Sequence, residues 1–429
     1  MSQKPSRRSF LKAAGAAAGA IGFPYVIGSG VLADSGKPGA NDKINVGFIG
    51  VGGRGGGQLR SNKNCAAAVC DVDKNHLADA AKVAGEKAGA YTDYRYILER
   101  KDIDAVLIST PDHWHAQQTI HACEAGKDVY CEKPACNTIA EGQAMVHAAK
   151  YYNRVVQIGS QGRALHAAAS ACDYIRNGQL GKVSKIICWH YECPDGGSRD
   201  TEPVPAHLDW NMWLGPAAWR PYHKDRVHFN FRWFLDLGGG CIRDRGAHVF
   251  SLVSWFMNVD HTGPVSVEAK GSAPVKGAYD CPTKYEVTYQ FKNPDWTLVW
   301  AQPGEKPPEY SGNHFGFKMW GDKDTLFFEG GDGAGSTEDK AVRWKVPHGG
   351  EKVFRSPGHV EDWMNCIRTR ETPLMNISAA HHVAAICNLG NASYILGRKL
   401  NWDAEKEVVV GDEVANRLLN KPWRDWTKA

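Results

Sequence analysis

The stretch INVGFIGVGGRGGG (Ile44–Gly57) decides the fold. An apolar run of strand character breaks at Gly50 and opens, through Gly50-x-Gly52-x-x-Gly55, into a stretch of helical character. The first glycine permits a tight turn, the second lets the backbone approach a pyrophosphate, and the third allows close helix–strand contact. Free N–H groups at the helix start, aided by the helix dipole, attract a phosphate. The next apolar run, AAAVCDVD (Ala66–Asp73), places Asp71 about twenty residues beyond Gly50, where a carboxylate holds a ribose 2′-hydroxyl. Strand, glycine turn, helix and acid together indicate a dinucleotide site at Gly50, Gly52, Gly53, Arg54, Gly55 and Asp71. Asp71 repels a 2′-phosphate and so favours NAD; Arg54 pulls toward NADP.

Outward from this stretch, strand-like and helical runs alternate. HLADAAKVAGEKAG is helical, DAVLIST a strand, WHAQQTIHACEAG a helix, DVYCEKP a strand, TIAEGQAMVHAAKYY a helix and VVQIGS a strand. Such alternation is the mark of a doubly wound parallel sheet, expected over residues 44–160. From residue 161 the pattern changes. VSKIICWHY, VSVEAKG, KYEVTYQF, TLVWA, FGFKMW and TLFFEG follow one another as short strands, and helical patterns return after His359. An α/β domain with a large open, mostly antiparallel sheet is therefore expected over 161–429.

The 43% hydrophobic and 23% charged content are those of a globular protein, and a net charge of +4 without later basic blocks argues against nucleic acid. Fifteen tryptophans suit flat apolar faces such as sugar rings, although core packing accounts for most of them. Ser6–Lys12, SRRSFLK, precedes a weakly apolar Ala/Gly run and small residues that offer a cut after Ala33. This resembles a twin-arginine export signal over residues 1–33, with a Gly/Pro/Asp linker over 34–43. The run is too short to span a bilayer, so the mature chain is expected without a membrane anchor. Twelve cysteines without framework spacing read as buried thiols of a chain that folds in a reducing cytoplasm before export.

Ligands of an open parallel sheet gather at the carboxyl ends of its strands. One strand ends at Thr110-Pro111 before DHWH, and another at Glu132-Lys133-Pro134. In LGGGCIRDRGAHVF (Leu237–Phe250), Asp244 and His248 stand four apart, on one face of a single expected helix. A histidine can accept an alcohol proton while a lysine stabilises the alkoxide, with Glu132 expected to aim Lys133 and Asp244 to orient the imidazole or hold a substrate hydroxyl. HFNFRWF offers His228, Asn230, Arg232 and Trp233 at alternating spacing for sugar hydroxyls and a stacking face; Arg163 falls near the domain interface, and His381-His382 borders either the substrate or solvent. His113 and His115 supply too few ligands for a metal, and none is expected.

In this order, GVGGRG, STPDHWH, CEKP and RDRGAH resemble the glucose–fructose oxidoreductase, inositol dehydrogenase and rhizopine-catabolism family (Gfo/Idh/MocA), from Ile44 to the C-terminus. The resemblance implies a Rossmann domain followed by an α/β domain whose open sheet often forms a homo-oligomer interface, as a dimer or tetramer. It implies that Lys133 bonds the reacting oxygen and that Asp244 and His248 complete the catalytic set. Gly50, Gly52, Gly55, Asp71, Pro111, His115 and Glu132, with Thr110 beside them, then line the cofactor. Arg163, Asn230, Arg232, Trp233 and His248 are the expected substrate contacts. The expected activity is hydride transfer between a tightly held NAD (NADP possible) and a ring hydroxyl of a sugar, glycoside or cyclitol, in the periplasm after the export machinery has acted. The alternative is redox-neutral glycoside cleavage through a 3-keto intermediate, in which the same NAD is reset each cycle. Hydrolase-like relatives lack EKP at this position, which leans the resemblance toward oxidoreduction.

Overall fold

The computed structural model describes residues 43–304 and 315–428; the export signal and nearly all of the linker expected before Ile44 lie outside them. Asn45–Ala429 forms one compact unit. It holds two sheets. The first contains β1 (Val46–Ile49), β2 (Ala66–Cys70), β3 (Gly89–Tyr91), β4 (Ala105–Ile108), β5 (Asp128–Glu132) and β6 (Val156–Gly159). All pairs are parallel, in the order β3-β2-β1-β4-β5-β6. β1, β4, β5 and β6 are buried at every position, because helices cover both faces. The order reverses between β1 and β4, and this opens a crevice at the carboxyl edge where Gly50, Asp71, Thr110 and Lys133 follow their strands. Strand β3 escapes the sequence reading, since GAY is too short to show a period.

The second sheet has nine strands: β7 (Val183–Trp189), β8 (Ser266–Ser272), β9 (Lys284–Phe291), β10 (Trp296–Gln302), β11 (Gly316–Gly321), β12 (Thr325–Gly330), β13 (Gly335–Thr337), β14 (Leu400–Asp403) and β15 (Val408–Val409). Only β7 and β10 pair in parallel. Burial alternates along β9 and β10, so one face enters the core and the other stays open. Phe250 packs edge-on against Tyr289 and Trp300, at 5.9 and 5.7 Å between ring centroids, and seats its helix on that inner face.

Two local expectations are corrected. HFNFRWF is not an alternating strand: Asn230–Trp233 forms a 3-10 turn, so its side chains fan out instead of sharing a face. The helix expected to carry both Asp244 and His248 is two helices, Cys241–Asp244 and Gly246–Phe256, meeting at Arg245. Between β7 and these helices the chain makes a long excursion with its own small core of Leu208, Trp210, Trp213, Tyr222, Phe231 and Phe234.

Buried histidines weaken this fold toward acid, His113 and His359 among them. Burial pushes His113 and His359 down to about 4, while their rings hydrogen-bond to the carbonyl oxygens of Trp213 and Ile158. Unfolded histidine titrates near about 6.5. Between those values the unfolded chain binds more protons, so stability falls as pH drops, by up to about 1.4 kcal/mol per pH unit for each group. Tm is expected to decline from pH 6.5 to pH 4.5, less steeply in His359→Gln. A Tm flat across that window in the parent chain contradicts this.

Candidate active site

The crevice is lined by Gly50, Gly52, Gly53, Arg54, Asp71, Thr110, Pro111, His115, Glu132 and Lys133 from the parallel-sheet side, and by Met212, Trp213, His228, Phe229, Phe231 and Arg232 from the excursion. Gly50 turns at φ +77°, and a Cβ there would stand 2.7 Å from the Thr110 nitrogen. Gly55 lies beneath the loop: a Cβ would fall 1.8 Å from the Gly50 carbonyl oxygen, whereas Gly53 faces open space. The helix Gly53–Ser61 therefore presses against the turn while its N-terminus is bare toward the cavity. This cradle fits the pyrophosphate of a dinucleotide, the phosphate resting on backbone N–H groups. Asp71 is held by the N–H groups of Val51 and Asp73, both 2.9 Å away, which fixes its carboxylate at the cavity wall.

His115 braces two strand ends, with Nδ1 2.7 Å from the Pro134 carbonyl and Nε2 2.9 Å from that of Thr110. The Thr110 hydroxyl donates to Gln118 Oε1 at 2.8 Å. Neighbouring residues of an extended chain point to opposite sides, and Glu132 and Lys133 do so. Glu132 does not aim Lys133; it accepts from Arg54 Nε, Gln58 Nε2 and Gln161 Nε2 at 3.0–3.1 Å. Arg54 is thereby drawn away from Asp71.

Lys133 reaches the second domain. Its Nζ lies 2.5 Å from Asp244 Oδ1 and 3.0 Å from the Asp244 carbonyl oxygen. Arg232 Nε stands 3.3 Å from the same Oδ1, and Arg245 Nε 3.8 Å from Oδ2. Burial alone would raise the Asp244 carboxyl, but Lys133, Arg232 and Arg245 overcome it and hold the group well below the usual carboxylate range. Asp244 is thus a charge partner, with no hydrogen bond to His248 among the described residues. His248 is buried, and burial followed by the field of Lys133 pushes its imidazole well below its ordinary value. Its Nδ1 is sealed from solvent and has no hydrogen-bond partner among the described residues.

Other expected contacts fall elsewhere. Arg163, 1% exposed, grips Asp260 with both terminal nitrogens at 2.6 and 2.7 Å and Ser251 through Nε, far from any role as a free substrate donor. Trp233 is buried in the main core, and neither it nor Asn230 lines the crevice; Phe229, 61% exposed with Arg232 4.3 Å over its ring, presents the flat face instead. His381 and His382 both turn to Glu407, at 2.6 and 3.7 Å. The sequence reading missed Phe229, Trp213, His76 and Gln161, because they enter the site from irregular segments or through tertiary contact alone.

Comparison with known proteins places these features. The model of an oxidoreductase family with an NAD-binding Rossmann fold (Gfo/Idh/MocA) matches residues 44–160, and its C-terminal alpha/beta domain matches 181–307 and 315–428. A twin-arginine translocation signal sequence matches residues 4–24. A glycosyl hydrolase family 109 protein of Shewanella pealeana is 33% identical over 170 residues, 34% of this chain and 37% of that protein. Levoglucosan dehydrogenase of Pseudarthrobacter phenanthrenivorans is 36% identical over 115 residues, 27% and 29% of the two chains. Inositol 2-dehydrogenase of Salmonella paratyphi B is 30% identical over 154 residues, 34% and 46%. The chain thus aligns with less than half the length of each. Among solved structures, WlbA dehydrogenase of Bordetella pertussis, in complex with NADH and UDP-GlcNAcA, superposes with a TM-score of 0.63 at 17% identity, over 84% of this chain and 99% of that one. An aldose-aldose oxidoreductase of Caulobacter crescentus gives 0.58 at 19%, over 84% and 99%.

Proposed function

The chain belongs to the Gfo/Idh/MocA oxidoreductase family, and from that premise we propose that it is a sugar, glycoside or cyclitol dehydrogenase with a tightly held NAD. One observation carries the reading: an ammonium on the cofactor side, Lys133, meets a carboxylate and an orphaned imidazole from the second domain. A bound nicotinamide supplies a hydride acceptor; the protein supplies the rest. Lys133 donates to the reacting oxygen and stabilises the charge that develops there. Asp244, itself paired with Arg232, holds that ammonium in place. His248 accepts the hydroxyl proton. Phe229 offers a flat face for a ring. NAD is favoured over NADP because Asp71 is fixed at the wall and Arg54 is committed to Glu132.

The signal match indicates export through the twin-arginine route, and among the described residues no helix is long and apolar enough to cross a membrane. We place the mature enzyme in the periplasm, where no free NAD pool regenerates a released cofactor; hence the tight binding, with the hydride returned in the same site to a second, carbonyl-bearing substrate that is thereby reduced to an alcohol. The open face of the second sheet is the surface on which a homo-oligomer would form. The partial match to glycosyl hydrolase family 109 proteins favours one second reading, redox-neutral glycoside cleavage. A panel of free sugars, cyclitols and glycosides separates the two. Absorbance of reduced nicotinamide rising with a keto product supports the dehydrogenase. Aglycone release without net reduction supports the second reading, and neither signal on any member counts against both.

The depressed imidazole gives a pH signature. His248 is in its base form at neutral pH and remains so as pH falls through 6.5. For the oxidation direction, kcat is expected to stay level from pH 7.5 to 5.5. A tenfold fall per unit below pH 6.5 would show an ordinary histidine and contradict the assignment.

A further inference from the structure

We propose that Asp73, His76 and His228 form a binding site for one divalent transition-metal ion of the zinc type, at the rim of the crevice opposite Lys133, with His207 at its edge. One ligand atom each from Asp73, His76 and His228 lies within 4.8 Å of the other two. Asp73 is buried, and its Oδ1 accepts the N–H groups of Asn75 and His76 at 2.8 and 3.4 Å. That leaves Oδ2 aimed at the imidazoles: His228 Nε2 stands 3.1 Å away and His207 Nε2 3.5 Å. Ligand atoms around a tetrahedral zinc, with bonds of about 2.0–2.1 Å, lie about 3.3–3.5 Å apart. The His228–Asp73 distance is already close to that size.

The supporting contacts are those of a metal site. His76 Nδ1 lies 3.7 Å from Asp71 Oδ2, a carboxylate that can orient the ring and leave its other nitrogen for the ion. The ring centroids of His76 and His228 lie 4.5 Å apart, with the planes tilted by 56°. His207 is pinned by its carbonyl, which accepts the Lys74 N–H at 2.9 Å. The histidine side chains are 31–42% exposed, which gives an ion its entry path. Imidazoles with one carboxylate select zinc, cobalt or nickel over calcium or magnesium. The ligands come from two distant segments, so no spacing rule announces them. Asp73 and His76 belong to the parallel-sheet domain and His207 and His228 to the excursion, and His76 and His228 both line the crevice. The ion would staple the excursion over the cavity mouth. That consequence rests on the cofactor reading; ion binding does not.

The test uses the full chain without an affinity tag, stripped with a chelator and titrated with Co²⁺ in the absence of substrate. One equivalent is expected to give a tetrahedral visible band, displaced by Zn²⁺. His228→Ala and His76→Ala, at partly exposed positions, are each expected to weaken binding at least tenfold. Absence of the band, or a band that survives both substitutions, overturns the proposal whatever the enzyme's activity proves to be.

Discussion

Lys133→Met is expected to lower kcat about 10²–10³-fold, the usual loss when one donor aimed at a developing oxyanion is removed. The ammonium is placed by the strand end of β5 on one side and by Asp244, 2.5 Å away, on the other. Methionine keeps most of the stem volume and removes the charge. Asp244 does not become an unpaired buried charge, because Arg232 and Arg245 stay at 3.3 and 3.8 Å, so the fold survives the change. The glycine cradle and Asp71 are untouched, so nucleotide content should match the parent. Lys133→Arg should not rescue, since a planar fork does not replace a point charge at this spot. The measurement is single-turnover reduction of the nicotinamide by the best substrate of the panel. A loss under tenfold with nucleotide content intact would remove Lys133 from the reacting oxygen.

Arg163→Met is expected to cost stability rather than binding. Arg163 satisfies both oxygens of Asp260 and both the hydroxyl and the carbonyl of Ser251, on the helix that carries His248. Breaking a buried pair costs about 3–5 kcal/mol, and the lower end applies because Asp260 is 28% exposed and keeps some solvent. A Tm lower by roughly 4 °C should follow. At a temperature where the variant is folded, KM should stay within about twofold of the parent value. A raised KM with unchanged Tm would restore Arg163 to the substrate site.

The regular part of the molecule was legible because each of its features has a local cause. The run Val46–Ile49 is apolar at nearly every position since both faces of β1 are covered, and Gly50, Gly52 and Gly55 are required by contacts that a Cβ would break. Lys133 was readable as functional because a lysine at the end of a buried strand needs a partner. Its partner's role was not: the i,i+4 rule paired Asp244 with His248, but the chain breaks at Arg245 and tertiary charge takes the carboxylate. The segment from Tyr191 to Leu237 has no period to read, because its small core is assembled from one short helix and turns. Trp233 therefore looked like a stacking face and is core, while Phe229, four places earlier, is exposed at the rim.

The central claim, a resident nicotinamide nucleotide in this crevice, is tested most directly by denaturing the purified protein and quantifying what it releases. The account predicts close to one NAD(H) per chain. A protein that releases none, and takes up none when NAD is added to the native chain, would contradict it.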